Sequence, residues 1–259
     1  MRIIKIPSSL GKGTEKAPDK VMANTQKLDL SENGCLPAFD QDKVEIVQDN
    51  IQETNKNIYN KSLQAFKETN KPLFLGGDHS VTSPIVRAFA ETFPGKPGII
   101  IFDAHPDAEN ESMPDSQEDL LCCLINQNII RPENIILVGT RNWNKNEIEF
   151  IKKNNIRYFP MQKIAKYGKQ EISETIMENA KDFSALYISI DIDVLDPAFA
   201  PGTGCLEPGG LSTRELLFFL HRLKNMHNLK GFDLVEINPD KDVNDMTSKV
   251  GAKILVELC

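Results

Sequence analysis

Three residues that can bind a metal ion occupy alternate positions near the middle of the chain. Asp103, His105 and Asp107 directly follow the apolar run 98–102. Successive side chains of an extended segment point to opposite faces, so these three are expected on one side, where a buried strand passes into a loop. Taken alone, the run could bind a cation, or it could be an acidic strand end that only caps a helix.

Two further apolar runs end in the same kinds of side chain. His79 follows the run 73–75, and Asp191 and Asp193 follow the run 186–190. In an open parallel sheet, ligands bind beyond the carboxyl ends of the strands, so all these residues are expected at one edge. Four carboxylates crowded there without a cation would carry a large electrostatic cost. The set therefore predicts two divalent cations, and its oxygen-rich, thiolate-free chemistry fits Mn²⁺ better than structural Zn²⁺, with Fe, Co, Ni and Zn left open.

The elements that must position these residues alternate along most of the chain. Continuous apolar runs predict strands at 2–6, 72–75, 98–102, 134–139, 157–159, 185–190 and 232–237. Helical spacing predicts helices at 17–23, 83–93, 118–126, 145–154, 170–180, 213–224 and 245–258, and one or two amphipathic helices within 40–69. Strands that are apolar throughout are typical of sheets buried on both faces. The pattern therefore predicts an α/β fold with a mostly parallel sheet covered by helices on both sides.

Composition limits the classes of function. The chain has 259 residues, and we expect one domain over 1–259. Its 30 Lys and Arg against 37 Asp and Glu give a net charge of −7 with no basic cluster, which argues against a nucleic-acid partner. No apolar run is long enough to span a membrane, and residues 1–7 lack the features of a secretion signal, so we expect a cytoplasmic protein. Five irregularly spaced cysteines argue against a disulfide framework or a zinc knuckle.

Several motifs resemble those of the ureohydrolase family, which includes arginases and agmatinases. They are Gly-Gly-Asp-His-Ser at 76–80, Asp-Ala-His-Pro-Asp at 103–107 and the run from Ser-Ile-Asp-Ile-Asp to Pro-Gly-Thr-Gly at 189–204, with further matches at 207–212 and 235–239. The resemblance covers roughly residues 70–258. It implies a three-layer α/β/α sandwich, a binuclear manganese centre, a small-molecule guanidine or amidine substrate, and assembly as a homo-oligomer, either a trimer or a hexamer.

The resemblance also implies roles for the individual residues. It assigns ligands to two ions as follows: His79 and Asp107 to one, His105 and Asp193 to the other, and Asp103 and Asp191 to both. A hydroxide shared by the ions would attack the guanidinium carbon. Glu236 would pair with the planar guanidinium, and Asp107 would help to pass a proton to the leaving amine. The products would be urea and an amine.

Several positions depart from the family pattern. Family members usually have a histidine that shuttles protons in the loop corresponding to 108–120, whereas this loop contains none, and its nearest candidate, Gln117, cannot shuttle a proton. Cys205 stands where a threonine commonly lies near the guanidinium, and is either a substrate contact or a small buried residue. Glu109 replaces an asparagine that arginases use for the amino-acid end of their substrate, and Asn144 stands near their aspartate. Arginine is therefore a poor candidate substrate.

These departures lead to three interpretations. The acidic loop that contains Glu109 could hold a cationic tail, which predicts an agmatinase-like amidinohydrolase acting on a linear guanidine. Arg141 follows another strand and could receive a carboxylate, so a formiminoglutamase-like hydrolase is the alternative. The missing loop histidine also allows a catalytically impaired homologue that keeps its metals. The remaining histidines, His221 and His227, are predicted to be surface or packing residues.

Overall fold

A computed structural model of the protein describes residues 1–9, 13–35, 37–109 and 119–259. Within these residues, eight strands form one sheet in the order β2, β1, β3, β8, β7, β4, β5, β6. Every neighbouring pair is parallel. The strands are β1 (Arg2–Lys5), β2 (Asp40–Lys43), β3 (Leu73–Leu75), β4 (Pro97–Phe102), β5 (Ile135–Val138), β6 (Arg157–Phe159), β7 (Ala185–Asp191) and β8 (Leu229–Val235).

Helices cover both faces of this sheet. In the described part of the chain they are α1 (Ala17–Thr25), α2 (Ile51–Glu68), α3 (Thr82–Thr92), α4 (Leu120–Asn126), α5 (Lys145–Lys153), α6 (Met161–Ala180), α7 (Thr213–Leu223) and α8 (Met246–Leu258). Alternate residues of β4 face opposite sides. Ile100 and Phe102 pack with α1, α6, α7 and α8, whereas Ile99 and Ile101 pack with α2 to α5. The predicted three-layer α/β/α sandwich with a parallel sheet is thus confirmed.

The edge strand β2 differs from the prediction. One or two amphipathic helices are predicted within 40–69, but Asp40–Lys43 pairs in parallel with Arg2–Lys5, and the helix found there is Ile51–Glu68. The four residues of β2 are all polar, so they carry no alternating pattern from which a strand could be recognised. Backbone pairing holds the strand, together with an ion pair of 2.9 Å between Arg2 and Asp42.

Helix α6 also begins earlier than expected. It starts at Met161 rather than at Gln170, and Gly168 interrupts it with φ 80° and ψ 151°. A glycine in this conformation breaks the helical spacing, which is why the pattern before residue 170 is hard to recognise. No helix of the described segments combines the length and apolar character needed to cross a membrane.

Glycine is required where β3 leads toward the site. A Cβ atom on Gly77 would lie 1.6 Å from the carbonyl oxygen of Ser8, in the loop that follows β1. The backbone of Gly77 also accepts the hydrogen bond of the Glu236 N–H, at 2.8 Å. The ends of β1, β3 and β8 can therefore approach closely only because residue 77 has no side chain.

Candidate metal centre and substrate cavity

The candidate ligands lie at the carboxyl ends of strands that are neighbours in the middle of the sheet. Short 3-10 helices begin at two of these ends, His79–Val81 after β3 and Ile192–Val194 after β7. Asp107, beyond β4, and Glu236, directly after β8, both adopt the left-handed backbone conformation, with φ of 51° and 64°. The turns there direct side chains back over the sheet edge.

The imidazole of His79 lies among three carboxylates. Its Nδ1 atom is 2.9 Å from Asp107 Oδ2, 3.1 Å from Asp103 Oδ2 and 3.5 Å from Asp191 Oδ2. His79 is buried, yet its Nδ1 and the Oδ2 of Asp103 have no hydrogen-bond partner of good geometry. Buried polar atoms normally find partners, so unpartnered atoms that converge on one point are what a metal site requires. His79, Asp103 and Asp107 form a group that could hold an ion.

A second group of ligands surrounds His105. Its Nδ1 atom is 3.1 Å from Asp193 Oδ2 and 3.6 Å from Asp103 Oδ1. One donor atom from each of Asp103, His105 and Asp193 lies within 4.8 Å of the others, so this group could also hold an ion. Asp103 belongs to both groups. All six residues singled out in the sequence as metal ligands therefore come together, arranged about two positions.

Backbone N–H groups orient these carboxylates. Each bond is accepted by the Oδ1 atom, and the Oδ2 atom of each carboxylate faces an imidazole. The bonds run from His105 N to Asp103 (2.6 Å), from Asp193 N to Asp191 (2.8 Å) and from Ala104 N to Asp193 (3.1 Å). The bonds to Asp103 and Asp191 come from donors two residues further along the same turn, whereas the bond from Ala104 to Asp193 joins the loops after β4 and β7.

The crowding of carboxylates raises the pKa of several of them. Burial, followed by the nearby charge of Asp103, raises the pKa of Asp107 to about 7. Burial, followed by the charges of Asp193 and Asp103, raises the pKa of Asp191 well above its ordinary value. Both effects disfavour the charged form. A divalent cation would offset them, and so the electrostatics of the group also fit a metal ion.

A cavity of about 670 Å³ adjoins the two ligand groups, and Glu236 lines it. The side chain of Glu236 is buried, and its Oε1 accepts a hydrogen bond of 2.8 Å from the N–H of His79. Burial, followed by the charge of Asp78, raises the pKa of Glu236 to about 8. A cationic group entering the cavity would favour the ionised carboxylate.

The loop that follows Asp107 is anchored to the start of α5. Asn144 caps this helix in a reciprocal arrangement with Glu147, whose other oxygen accepts a hydrogen bond of 3.3 Å from Ala108 N. The side-chain amide of Asn144 donates to Glu109 Oε1 at 2.6 Å. Glu109 is exposed and lines the cavity. Its partner Asn144 is neutral, so this bond does not neutralise the negative charge of Glu109.

Three further residues that line the cavity come from the loops after β7 and β8. Cys205 is exposed and lines the cavity, so its interpretation as a small buried residue is wrong. Thr203 also lines it, and its buried hydroxyl has no hydrogen-bond partner. Lys241 brings an exposed ammonium group, which donates to the carbonyl of Gly204 at 3.2 Å. Thr203 lies within the motif run 189–204, but the sequence assigned it no role, and Lys241 lies outside every motif that the sequence singled out.

Arg141 has a structural role instead of the substrate contact considered from the sequence. Its half-buried guanidinium donates to main-chain carbonyl oxygens, among them those of Glu207 at 2.7 Å and Asp193 at 2.8 Å. It also donates to that of Leu195 at 3.2 Å, and it is not part of the cavity wall. Arg141 therefore ties together the loops that follow β7, and the carboxylate site suggested for it is wrong.

The loop without a histidine falls largely outside the described residues, which exclude 110–118 and thus Gln117. The other two histidines are found as predicted. His227 is exposed, and His221 packs on α7 with its Nε2 atom 2.8 Å from Glu257 Oε2.

Glu32, His221 and Glu257 form a further group whose atoms could hold an ion. The buried carboxylate of Glu257 already accepts hydrogen bonds from Lys253 Nζ at 2.5 Å and from Glu32 N at 2.8 Å. The ammonium group of Lys253 thus neutralises the carboxylate of Glu257. We therefore interpret the group as an ion-pair network that fastens the end of α8.

Comparison with known proteins gives consistent results. The model of the Arginase family matches residues 2–259. An arginase of Staphylococcus aureus (strain COL) is 34% identical over 289 residues, covering 98% of this chain and 94% of that protein.

Among solved structures, formimidoylglutamase from Bacillus subtilis subsp. subtilis str. 168 superposes with a TM-score of 0.94 and 27% identity, covering 99% of this chain and 85% of that chain. A hypothetical agmatinase from Burkholderia thailandensis superposes with a TM-score of 0.88 and 26% identity, covering 99% of this chain and 84% of that chain. These similarities extend over the whole fold described above, including the strand ends that carry the two ligand groups.

Proposed function

Because the chain belongs to the arginase family, whose members are hydrolases acting on C–N bonds, we propose that it is a binuclear metal-dependent amidinohydrolase. Its substrate in this proposal is a linear guanidine with a cationic tail, of the agmatine kind, which is hydrolysed to urea and an amine. The observation that carries the proposal is the pair of ligand groups that share Asp103 beside a cavity lined by Glu236.

We assign two Mn²⁺ ions to the ligand groups as cofactors. His79 and Asp107 would hold one ion and His105 and Asp193 the other. Asp103 and Asp191 would contact both. The unpartnered buried atoms of His79 and Asp103 and the mixed imidazole and carboxylate donors support this assignment. Bound divalent ions lower the pKa of water and so make a nucleophile available at neutral pH.

The side chains around the ligand groups orient the substrate and move its proton. Glu236, held by the N–H of His79, offers a carboxylate that suits the planar N–H fork of a guanidinium. This pairing places the guanidinium carbon against the ligand groups. In this proposal Asp107 passes a proton to the leaving amine, which its position both in the first ligand group and on the cavity wall supports.

Glu109 supports the cationic tail. It lies on the wall of the same cavity as Glu236, and its neutral partner Asn144 holds the carboxylate in place without cancelling its charge. An ammonium group at the far end of the substrate would find its counter-charge there. Recognition by an ion pair of this kind adds specificity for a substrate that carries the matching charge.

A second candidate, a formiminoglutamase-like hydrolase, is favoured by Lys241. This residue brings a positive charge to the cavity, where it could pair with a substrate carboxylate. The high structural similarity to a formimidoylglutamase agrees with this possibility. A third candidate, a catalytically impaired homologue that retains its metals, rests on the missing loop histidine.

The test is a substrate panel assayed in the presence of Mn²⁺. Agmatine, guanidinobutyrate, arginine and formiminoglutamate are incubated with the protein, and urea and formamide are measured. We expect urea from agmatine, with a KM that rises about two- to fivefold in Glu109→Gln and changes little in Lys241→Met. Activity confined to substrates that carry a carboxylate, and lost in Lys241→Met, would replace this proposal with the second candidate.

Measuring the metal content of the protein tests the third candidate, the catalytically impaired homologue. Two bound Mn²⁺ ions per chain without turnover of any guanidine or amidine would support an impaired homologue. In that case Gln117→His, which restores an imidazole to the loop, shows whether the missing proton shuttle is the deficit. We also propose that the protein is a homo-oligomer, a trimer or hexamer, acting in the cytoplasm on small molecules without nucleic acid or membrane. Sedimentation analysis measures the number of subunits.

A further inference from the structure

A buried carboxylate lies behind the first ligand group and has no part in the proposed chemistry. Asp233, on β8, is fully buried, and its partners in the structure are three hydroxyl groups. Ser189 donates to Oδ1 at 2.6 Å, whereas Thr82 and Tyr187 donate to Oδ2 at 3.0 and 3.1 Å. The hydroxyl of Ser189 also lies 3.0 Å from Nε2 of His79.

The number of protons decides the direction of these hydrogen bonds. The three hydroxyl donors favour the ionised form of Asp233, which can only accept, so the single hydroxyl proton of Ser189 points to Asp233. The Ser189 oxygen then has only a lone pair to offer to His79, and Nε2 must carry the ring proton. In a neutral imidazole the other nitrogen, Nδ1, is consequently bare. It is Nδ1 that faces the Oδ2 atoms of Asp107, Asp103 and Asp191.

We propose that Asp233 is a positioning residue that acts through Ser189 to fix the tautomer and ring orientation of His79, so that its Nδ1 lone pair faces the metal. The inference rests on the two-metal site of the proposed function, but not on any substrate or turnover. It predicts that the binding of one ion depends on Asp233 and the binding of the other does not. The relay reaches His79 in the group with Asp107, whereas among the described residues no hydrogen bond links Asp233 to His105, and the group around His105 should be unaffected.

The first variant removes the link while leaving Asp233 in place. Loss of a partner that orients a metal-binding histidine typically weakens metal affinity about 10–100-fold. In Ser189→Ala we therefore expect one Mn²⁺ per chain to bind as in the wild-type protein and the second to bind about 10–100-fold more weakly. Equilibrium dialysis with elemental analysis measures the stoichiometry. The electron paramagnetic resonance signal of a spin-coupled manganese pair should disappear at Mn²⁺ concentrations that still load one site.

The second variant reverses the link. In Asp233→Asn, the hydroxyls of Thr82 and Tyr187 would keep the amide oxygen on their side, so the amide NH₂ would face Ser189. Ser189 would then accept from the amide and give its own proton to Nε2 of His79. This favours the tautomer with hydrogen on Nδ1, where the ion should bind. We therefore expect Asp233→Asn to weaken the same Mn²⁺ at least as much as Ser189→Ala.

Two controls separate positioning from packing. Thr82→Val removes a donor to Asp233 without touching the link between Ser189 and His79. Ser173→Ala makes the same buried change as Ser189→Ala elsewhere, at a hydroxyl that has no partner. Both should keep two Mn²⁺ ions with the spin-coupled signal, and thermal unfolding shows whether each variant is folded.

The proposal is overturned if wild-type protein binds fewer than two Mn²⁺ ions, or if Ser189→Ala or Asp233→Asn binds both as tightly as wild type does. It is also overturned if Thr82→Val loses the same ion, or if both Ser189→Ala and Asp233→Asn fail to fold while Ser173→Ala folds. Failure of the proposed function looks different. In that case the wild-type protein turns over no member of the substrate panel, while the selective loss of one ion is still measured.

Discussion

Thermal unfolding with and without Mn²⁺ tests whether two ions share Asp103. A ligand that binds only the folded state at 100 times its Kd contributes about 2.7 kcal/mol, so two sites contribute about 5 kcal/mol. For a chain of this size, each kcal/mol raises Tm by about 2–4 °C, which predicts a rise of about 10–20 °C over protein treated with a chelator.

Two variants should lose different shares of this rise in Tm, because their side chains belong to different numbers of ligand groups. Asp107→Asn leaves the group of Asp103, His105 and Asp193 intact, and about half of the rise should remain. Asp103→Asn damages both groups, so little or no rise should remain. Without metal, Asp107→Asn should be at least as stable as the wild-type protein, because it removes one of several crowded carboxylates.

The assay is a scanning fluorimetry titration with Mn²⁺ after exhaustive dialysis against chelator. Asp182→Asn, at an exposed carboxylate on another part of the surface, serves as the matched control and should behave like the wild-type protein. A full rise in Asp103→Asn, or no difference between the Asp107 and Asp103 variants, would refute the idea that one carboxylate serves two ions.

Two further predictions concern stability elsewhere in the fold. Gly77→Ala should destabilise the protein by about 3 kcal/mol or more in urea unfolding, because its Cβ would overlap the carbonyl of Ser8; a loss below about 1 kcal/mol would contradict this close approach. Burial raises the pKa of Glu257, but Lys253 and the N–H of Glu32 lower it by more, so it lies below its usual value. The folded state then binds fewer protons than the unfolded state, and this stabilisation is present above pH of about 4.5 and is lost as pH falls further. Glu257→Gln should therefore cost about 2 kcal/mol at pH 7 and clearly less near pH 3, and an equal loss at both pH values would argue against the ion-pair network.

The sequence predicted the parts of the site that lie on regular strands. Asp103 directly follows β4, Asp191 ends β7 and His79 comes four residues after the end of β3, and parallel strands bring their carboxyl ends to one edge. The positions of Thr203 and Lys241 could not be predicted in this way, since they lie in loops whose course depends on tertiary contacts.

The same distinction applies to the fold. Buried strands and helices are recognisable because burial imposes a hydrophobic period on them. The polar strand Asp40–Lys43 is held by backbone pairing at the sheet edge, which imposes no such period. The guanidinium of Arg141 shows the corresponding error for a site residue. Its place after a strand suggested a ligand contact, but carbonyl oxygens of neighbouring loops occupy its donors.

The left-handed backbone at Asp107 and Glu236 has a consequence for engineering. This conformation costs a residue with a side chain about 1–2 kcal/mol compared with glycine, which adopts it freely. Variants selected only for heat resistance should therefore accumulate glycine or asparagine at these two positions and lose the carboxylates assigned to proton transfer and guanidinium binding. A thermostabilised form intended to keep its activity has to hold both positions constant and gain its stability elsewhere.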